Sequence, residues 1–202
     1  MEAHVKYIHS DLIDRCRQGD RAAYYELYKL YSRSMYNVGY RIVNNQEEAE
    51  DVLQEAFISA FSKLENYRGD SAFGAWLKRI VINKAINHLQ KKKMERLPDN
   101  DRWDVKEEEE VDFEEGFPFT VEKVKGAIEK LPDGYRSVLT MYLFEGYDHA
   151  EIGEVLSISE STSKSQFNRA KKKLKEIQDG KTKFYVHSSN LVQWFIRLMV
   201  HW

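Results

Sequence analysis

The sequence predicts an all-α protein, with two small helical domains at residues 10–93 and 120–180 joined by an acidic flexible linker at 94–119. Three observations carry this. Apolar residues recur at spacings of three and four almost throughout, with little of the alternation that marks strands. Of the 202 residues, 42% are hydrophobic and 32% charged, which suits a soluble, strongly helical chain. Charge is unevenly spread: residues 1–97 hold 16 basic and 13 acidic side chains, residues 98–119 hold 2 and 10, and residues 120–202 hold 13 and 10. The formal net charge of −2 thus conceals two mildly basic blocks around an acidic segment.

Each element follows from local signals. Ser10 is placed to cap a short helix ending at Gly19. Asp20 can cap a second helix, with Ala23, Leu27, Leu30, Tyr31, Met35, Val38 and Ile42 as its apolar stripe. Asn45 and Glu48 form a capping-box-like start for a third, whose inner face is Ala49, Val52, Leu53, Ala56, Phe57, Ala60, Phe61 and Leu64. Gly69 breaks the chain, Asp70 or Ser71 caps a fourth helix, and Phe73, Trp76, Leu77, Ile80 and Ala85 line its buried side. The stretch MERLPDNDRWDVKEEEEVDFEEGFPF then has too little apolar content to fold. Fully extended, this linker reaches roughly 85–90 Å. Helices resume with VEKVKGAIEKL, closed by Pro132, then YRSVLTMYLFEG, then DHAEIGEVL behind an Asp148–Glu151 capping box. In that third helix Ile152, Val155 and Leu156 face inward. Ile158 plugs a short turn, and Ser159 caps a last basic helix with Phe167, Ala170 and Leu174 inside. Two helices joined by a short turn, the second basic, form a helix-turn-helix pattern, which a plain helical hairpin would share. Residues 181–202 are an atypical apolar tail, either a helix folded back on the second domain or a docking segment for another protein.

Composition excludes several classes. The lone Cys16 allows no internal disulfide, and no Cys/His spacing resembles a zinc site. There is no signal-peptide pattern, and LVQWFIRLMVHW is too short to span a bilayer, so the expectation is a cytoplasmic protein with no membrane role. No glycine-rich phosphate loop or nucleophile–base pairing stands out, so the expectation is a protein that is not an enzyme and needs no metal or cofactor.

Three surfaces remain as candidates. In DVLQEAF, Asp51, Gln54 and Glu55 fall opposite Val52, Leu53, Ala56 and Phe57. Carboxylates repel a DNA backbone, so this face suits a basic protein surface, although a merely solvated helix face has the same pattern. The loop NYRGDSAF (Asn66, Tyr67, Arg68, Asp70, Ser71 and Phe73) has the composition to stack and hydrogen-bond an unpaired base. Beside it Lys78, Asn83, Lys84, Asn87, His88 and Lys91 offer phosphate contacts, unless the basic run is only a solvated face. In the last helix Ser161, Thr162, Lys164, Ser165 and Asn168 occupy the turns where a recognition helix meets base edges. Arg169 and Lys171 to Lys173 lie further along, nearer to phosphates.

In this order, DVLQEAF, ENYRGDSAFGAWLKRIVINKAINHLQ, LPDGYRSVLTMYLFEGYDHAEIGEVL and SISESTSKSQFNRAKKKLKE resemble the sigma-70 family, specifically its compact extracytoplasmic-function (group 4) branch. The likeness runs from about residue 10 to residue 178. It implies that Asp51, Gln54, Glu55 and Ile58 dock on the β′ clamp coiled coil of core RNA polymerase. It implies that Asn66, Tyr67, Arg68, Asp70, Ser71, Phe73, Lys78, Asn83, Asn87, His88 and Lys91 open the −10 element and hold a flipped base. It implies that Ser161, Thr162, Lys164, Ser165, Asn168, Arg169 and Lys172 read the −35 element, in a domain that also meets the β-flap. The acidic linker takes the place of region 3. Promoter DNA, duplex and melted, is the second implied partner, and the branch leaves room for an anti-sigma factor or a DNA-targeting recruiter. The recognition helix departs from the family pattern at Ser163, where an inward valine is usual, and at Gln166, where arginine is common. The rival reading is a stand-alone helix-turn-helix regulator that acts without polymerase.

Overall fold

A computed structural model describes residues 8–95 and 121–178, and side chains only to Leu174 in the last helix and from Lys123 in the second block. The expected linker beyond Glu95 and the tail at 181–202 lie outside the described residues. The chain divides into two compact units near Lys91, and the described residues of both are helical, without strands.

In the first unit α1 is Ser10–Arg17, α2 Arg21–Val43, α3 Gln46–Ser62 and α4 Phe73–Glu95, with a single 3-10 turn at Leu64–Asn66 before α4. Ser10 does not cap α1. His9 holds that position in the left-handed region (φ 71°), and Ser10 Oγ is buried inside the first turn without a hydrogen-bond partner. Gly19, with φ 82°, reverses the chain after α1. Asp20 then caps α2, accepting from the amides of Ala22 and Ala23. The Arg15 guanidinium, 2.7 Å from this carboxylate, holds its pKa below the usual range, with the two amide bonds helping.

Ala23, Leu27, Met35, Val38 and Ile42 are buried along α2 as the spacing predicts, but Leu30 is 52% exposed. At 100° per residue, Leu30 falls about 90° from the centre of that stripe. Gly39 marks where three helices converge: a Cβ there would lie 3.4 Å from Val52 of α3 and 3.8 Å from Val81 of α4. Helix α4 meets both neighbours, and its core face is correspondingly wide, adding Val81, Ile82 and Ile86 to Phe73, Leu77 and Ala85. Trp76 and Ile80 are only half-buried. Aromatic rings fill the α2–α3 seam, with Tyr28 edge-on to Phe57 at 4.8 Å and Tyr24 edge-on to Phe61 at 4.9 Å.

In the second unit α5 is Val121–Glu129, α6 Asp133–Thr140, α7 His149–Leu156 and α8 Glu160–Gln178. Val124, Ile128, Leu131, Leu139, Phe144 and Ala170 form the core. The buried Arg136 ties the end of α5 to α6, donating to the Leu131 carbonyl at 2.8 Å and pairing with Asp133. The segment YRSVLTMYLFEG is not one regular helix. After Thr140 it widens into a π-turn at Met141–Glu145, which Gly146 ends at φ 78°. Asp148 and Glu151 complete their capping box on α7, and Ser159 caps α8, accepting from the Thr162 amide at 3.0 Å. Gly153 lets the intervening turn close on α7: Ile158 donates to the Gly153 carbonyl at 2.9 Å, and a Cβ on Gly153 would lie 2.8 Å from the Ile158 carbonyl oxygen. Among the described residues no helix is long and apolar enough to cross a membrane.

Candidate protein and nucleic-acid interfaces

The burial of Val52, Leu53, Ala56 and Phe57 fixes the rotation of α3, so Asp51, Gln54, Glu55 and Ile58 emerge together on its outer face. Their spacing of i, i+3, i+4 and i+7 is a single stripe. Ile58 is 69% exposed, an apolar point at one end of an acidic row. Glu55 lies 3.2 Å from Lys84 of α4, and Glu48 lies 3.4 Å from His88, so an ion pair and a carboxylate–imidazole contact join α3 to α4.

The loop between the 3-10 turn and α4 sorts its residues by burial. Asn66, Arg68, Asp70 and Ser71 are exposed, whereas Tyr67 and Phe73 are 6% and 1% exposed. The two aromatics are therefore core residues in this conformation, and neither presents a ring face to a base. Tyr67 packs 5.5 Å from Phe73 and 5.3 Å from Trp76, and its hydroxyl donates to the Ser71 carbonyl. Neither Asp70 nor Ser71 stands at the start of α4. The position belongs to Ala72, whose carbonyl accepts from Ala75 and Trp76.

Along α4, Asn83, Asn87 and Lys91 are exposed on one face. Lys78 does not join them, because five and nine residues at 100° each place it about 140–180° away from Asn83 and Asn87. His88 is turned to Glu48 in the seam. Arg79, four residues before Asn83, shares the exposed face and is absent from the candidates drawn from sequence. Its signal in the sequence is that i, i+4 spacing.

On α8 the buried side carries Ser163, Gln166 and Ala170, with Phe167 half-buried. This turns Ser161, Lys164, Ser165, Asn168 and Lys172 together onto the opposite side, with Thr162 and Arg169 flanking them. The hydroxyls of Ser161 and Thr162 lie 2.9 and 2.7 Å from Ser159 Oγ, and Lys164 lies 2.7 Å from Glu160. Ser163, the departure from the family pattern, is fully buried and hydrogen-bonds His149 Nδ1 at 2.9 Å, joining α7 to α8 through polar groups. Gln166 is 3% exposed, and its Oε1 is buried without a partner. Tyr142 stacks on His149 at 4.6 Å. Burial pushes the His149 pKa down, and the nearby Lys164 charge adds to the effect.

The first unit has an acidic outer face and a polar loop, and in the second α7 and α8, joined by a short turn, have the form of a helix-turn-helix, a class of fold that DNA-binding proteins use. Comparison with known proteins refines the class. Residues 27–95 match the Sigma-70 region 2 family and residues 122–174 the Sigma-70, region 4 family. The RNA polymerase sigma-H factor of Pseudomonas aeruginosa is 34% identical over 174 residues, 79% of this chain and 88% of that protein. The ECF RNA polymerase sigma-E factor of Escherichia coli K12 is 31% identical over 172 residues, 79% of this chain and 88% of that protein. ECF RNA polymerase sigma factor SigW of Bacillus subtilis is 29% identical over 187 residues, 83% of this chain and 95% of that protein. A solved structure of the sigma factor RpoE with the anti-sigma factor NepR, from Bartonella quintana, shares the fold at a TM-score of 0.52. It has 19% identity and covers 78% of this chain and 97% of that one. The chain belongs to the sigma-70 family, in its extracytoplasmic-function branch.

Proposed function

We propose that this chain acts as a sigma factor through three separate surfaces: the α3 stripe on core RNA polymerase, the 66–72 loop with α4 on the −10 element, and α8 on the −35 element. The observation that carries the reading is the α3 face. Asp51, Gln54, Glu55 and Ile58 are exposed together beside a fully packed inner face, an arrangement with no role in the core. An acidic row with an apolar end complements a basic coiled coil and opposes duplex DNA.

On the −10 side Asn66, Arg68, Asp70 and Ser71 supply donors and acceptors to an unpaired base, and Asn83, Asn87, Lys91 and Arg79 meet the adjoining backbone. Tyr67 and Phe73 shape this loop from beneath, while Lys78 and His88 lie off this surface. Strand opening is then driven by binding the released strand rather than by covalent chemistry. On the −35 side Ser161, Lys164, Ser165 and Asn168 face base edges, and Thr162, Arg169 and Lys172 face phosphates. The factor works in the cytoplasm, where the polymerase is, and a partner protein governs its access; the structurally similar RpoE is found in complex with the anti-sigma factor NepR.

Run-off transcription with purified core enzyme tests this. Specific initiation that depends on the added chain supports it. Tight duplex binding by the isolated chain with no gain in initiation would instead favour a stand-alone helix-turn-helix regulator.

A further inference from the structure

Helix α1 precedes the region 2 match, which begins at residue 27. It is nevertheless tied to the −10 loop. Leu12, Ile13 and Cys16 bury one face of α1 in the first unit. From the edge of that face the Arg17 guanidinium donates to the main-chain carbonyl of Tyr67, fifty residues away in sequence. A second nitrogen of the same fork is held by Asp14 at 3.1 Å, which fixes its direction. Tyr67 is thus fastened three times: its carbonyl by Arg17, its hydroxyl at the Ser71 carbonyl, and its ring against Phe73 and Trp76. Between the carbonyl and hydroxyl anchors lie Arg68, Asp70 and Ser71, all exposed, and Gly69, which takes φ 78° to make the bend.

We propose that Arg17 is a positioning residue for single-strand capture: by fastening the Tyr67 carbonyl it presents Arg68, Asp70 and Ser71 in one preset orientation. This rests on the reading of the loop as the −10 contact. A loop already held in its binding shape loses less conformational freedom on meeting DNA, and that difference appears as affinity. Arg17 itself need not touch the strand.

The test uses the full chain in complex with core polymerase. The probe is a single-stranded oligonucleotide selected from a random pool on the wild-type complex. Arg17→Met keeps the side chain's length and apolar stem without its donors. It should weaken probe binding about five- to tenfold, the scale of one ordinary hydrogen bond. The ratio to wild type should be the same at low and high salt, because no phosphate contact is lost. Amide exchange at 68–72 should quicken, while α2–α4 and the affinity for core enzyme stay unchanged. Arg17→Lys, which keeps the charge without the fork, should fall between. If Arg17→Met does not fold, Arg17→Lys decides: intermediate exchange and affinity support the strap, and wild-type values in both overturn it. A loss confined to low salt would make Arg17 a phosphate contact and overturn the proposal. Arg68→Ala and Asp70→Ala separate the two levels. If they weaken probe binding and Arg17→Met does not, the strap is wrong and the loop assignment stands. If they too bind as wild type, the loop assignment fails and takes the strap with it.

Discussion

Replacing Gly153 with alanine tests the helix-turn-helix at its tightest point. The added Cβ would lie 2.8 Å from the Ile158 carbonyl oxygen, 3.6 Å from the Ser159 carbonyl carbon and 3.5 Å from the Glu160 amide nitrogen. The first distance is several tenths of an ångström inside normal contact, and the crowded atom is main chain. It has no rotamer to change. The turn must back away from α7, lengthening the 2.9 Å bond from Ile158 to the Gly153 carbonyl and carrying the start of α8 with it. Overpacking of this kind costs about 1–3 kcal/mol. Against it stands the gain of about 1 kcal/mol for alanine over glycine within a helix. The net expectation is a loss of up to about 2 kcal/mol in the second unit. Hydrogen exchange on the full chain should read this as faster amide exchange across α7 and α8, with α1–α4 unaffected, and duplex affinity should fall with it. An alanine variant with wild-type protection and duplex binding would refute the close approach as the reason for glycine.

Three further outcomes follow from packing and charge. Leu77 is fully buried in α4, so Leu77→Ala should cost about 2–5 kcal/mol in urea unfolding. Leu30→Ala on the exposed side of α2 should stay within about 0.5 kcal/mol. For His149 the sign is set by a pKa lowered on folding, chiefly by burial. The unfolded chain then binds the proton more readily, so stability is fully present above the ordinary histidine pKa of about 6.5 and is lost as pH falls below it. His149→Phe, which keeps a ring against Tyr142, should flatten that part of the profile relative to wild type in pH-dependent unfolding.

Much of this was legible in the sequence. Asp20, Asn45, Asp148 with Glu151, and Ser159 cap as their types and spacings predict, because capping is largely local, whereas Ser10 and Asp70 or Ser71 do not cap and His9 and Ala72 hold those positions. The two-faced character of α3 was readable for a related reason, since periodicity alone separates Asp51, Gln54 and Glu55 from Val52, Leu53, Ala56 and Phe57. What failed depends on tertiary surroundings. Periodicity does not say how many neighbours a helix meets, so it leaves Val81, Ile82 and Ile86 out of the core, where they are buried, whereas Leu30 lies off the α2 stripe by the count of 100° per residue itself. The α4 stripe already puts Phe73 inside, but loop composition does not say which side chain turns inward, so the burial of Tyr67 is not legible in it. The π-turn at Met141–Glu145 has no composition signature of its own. Ser163 and Gln166 stood out as departures, but only the structure shows Ser163 bonded to His149 and Gln166 inside the unit.

The central claim is that the acidic face of α3 is a polymerase-docking surface, and the affinity of an Asp51→Lys, Glu55→Lys double variant for core enzyme tests it most directly. The fold should tolerate the change, because both sites are exposed and the lost Glu55–Lys84 pair is a surface contact contributing about 0–1 kcal/mol. Lysines set against a basic partner should weaken association at least thirtyfold, about 2 kcal/mol. Unfolding and duplex binding by α8 should remain near wild type. A folded double variant that holds core enzyme at wild-type affinity would contradict the assignment of this face.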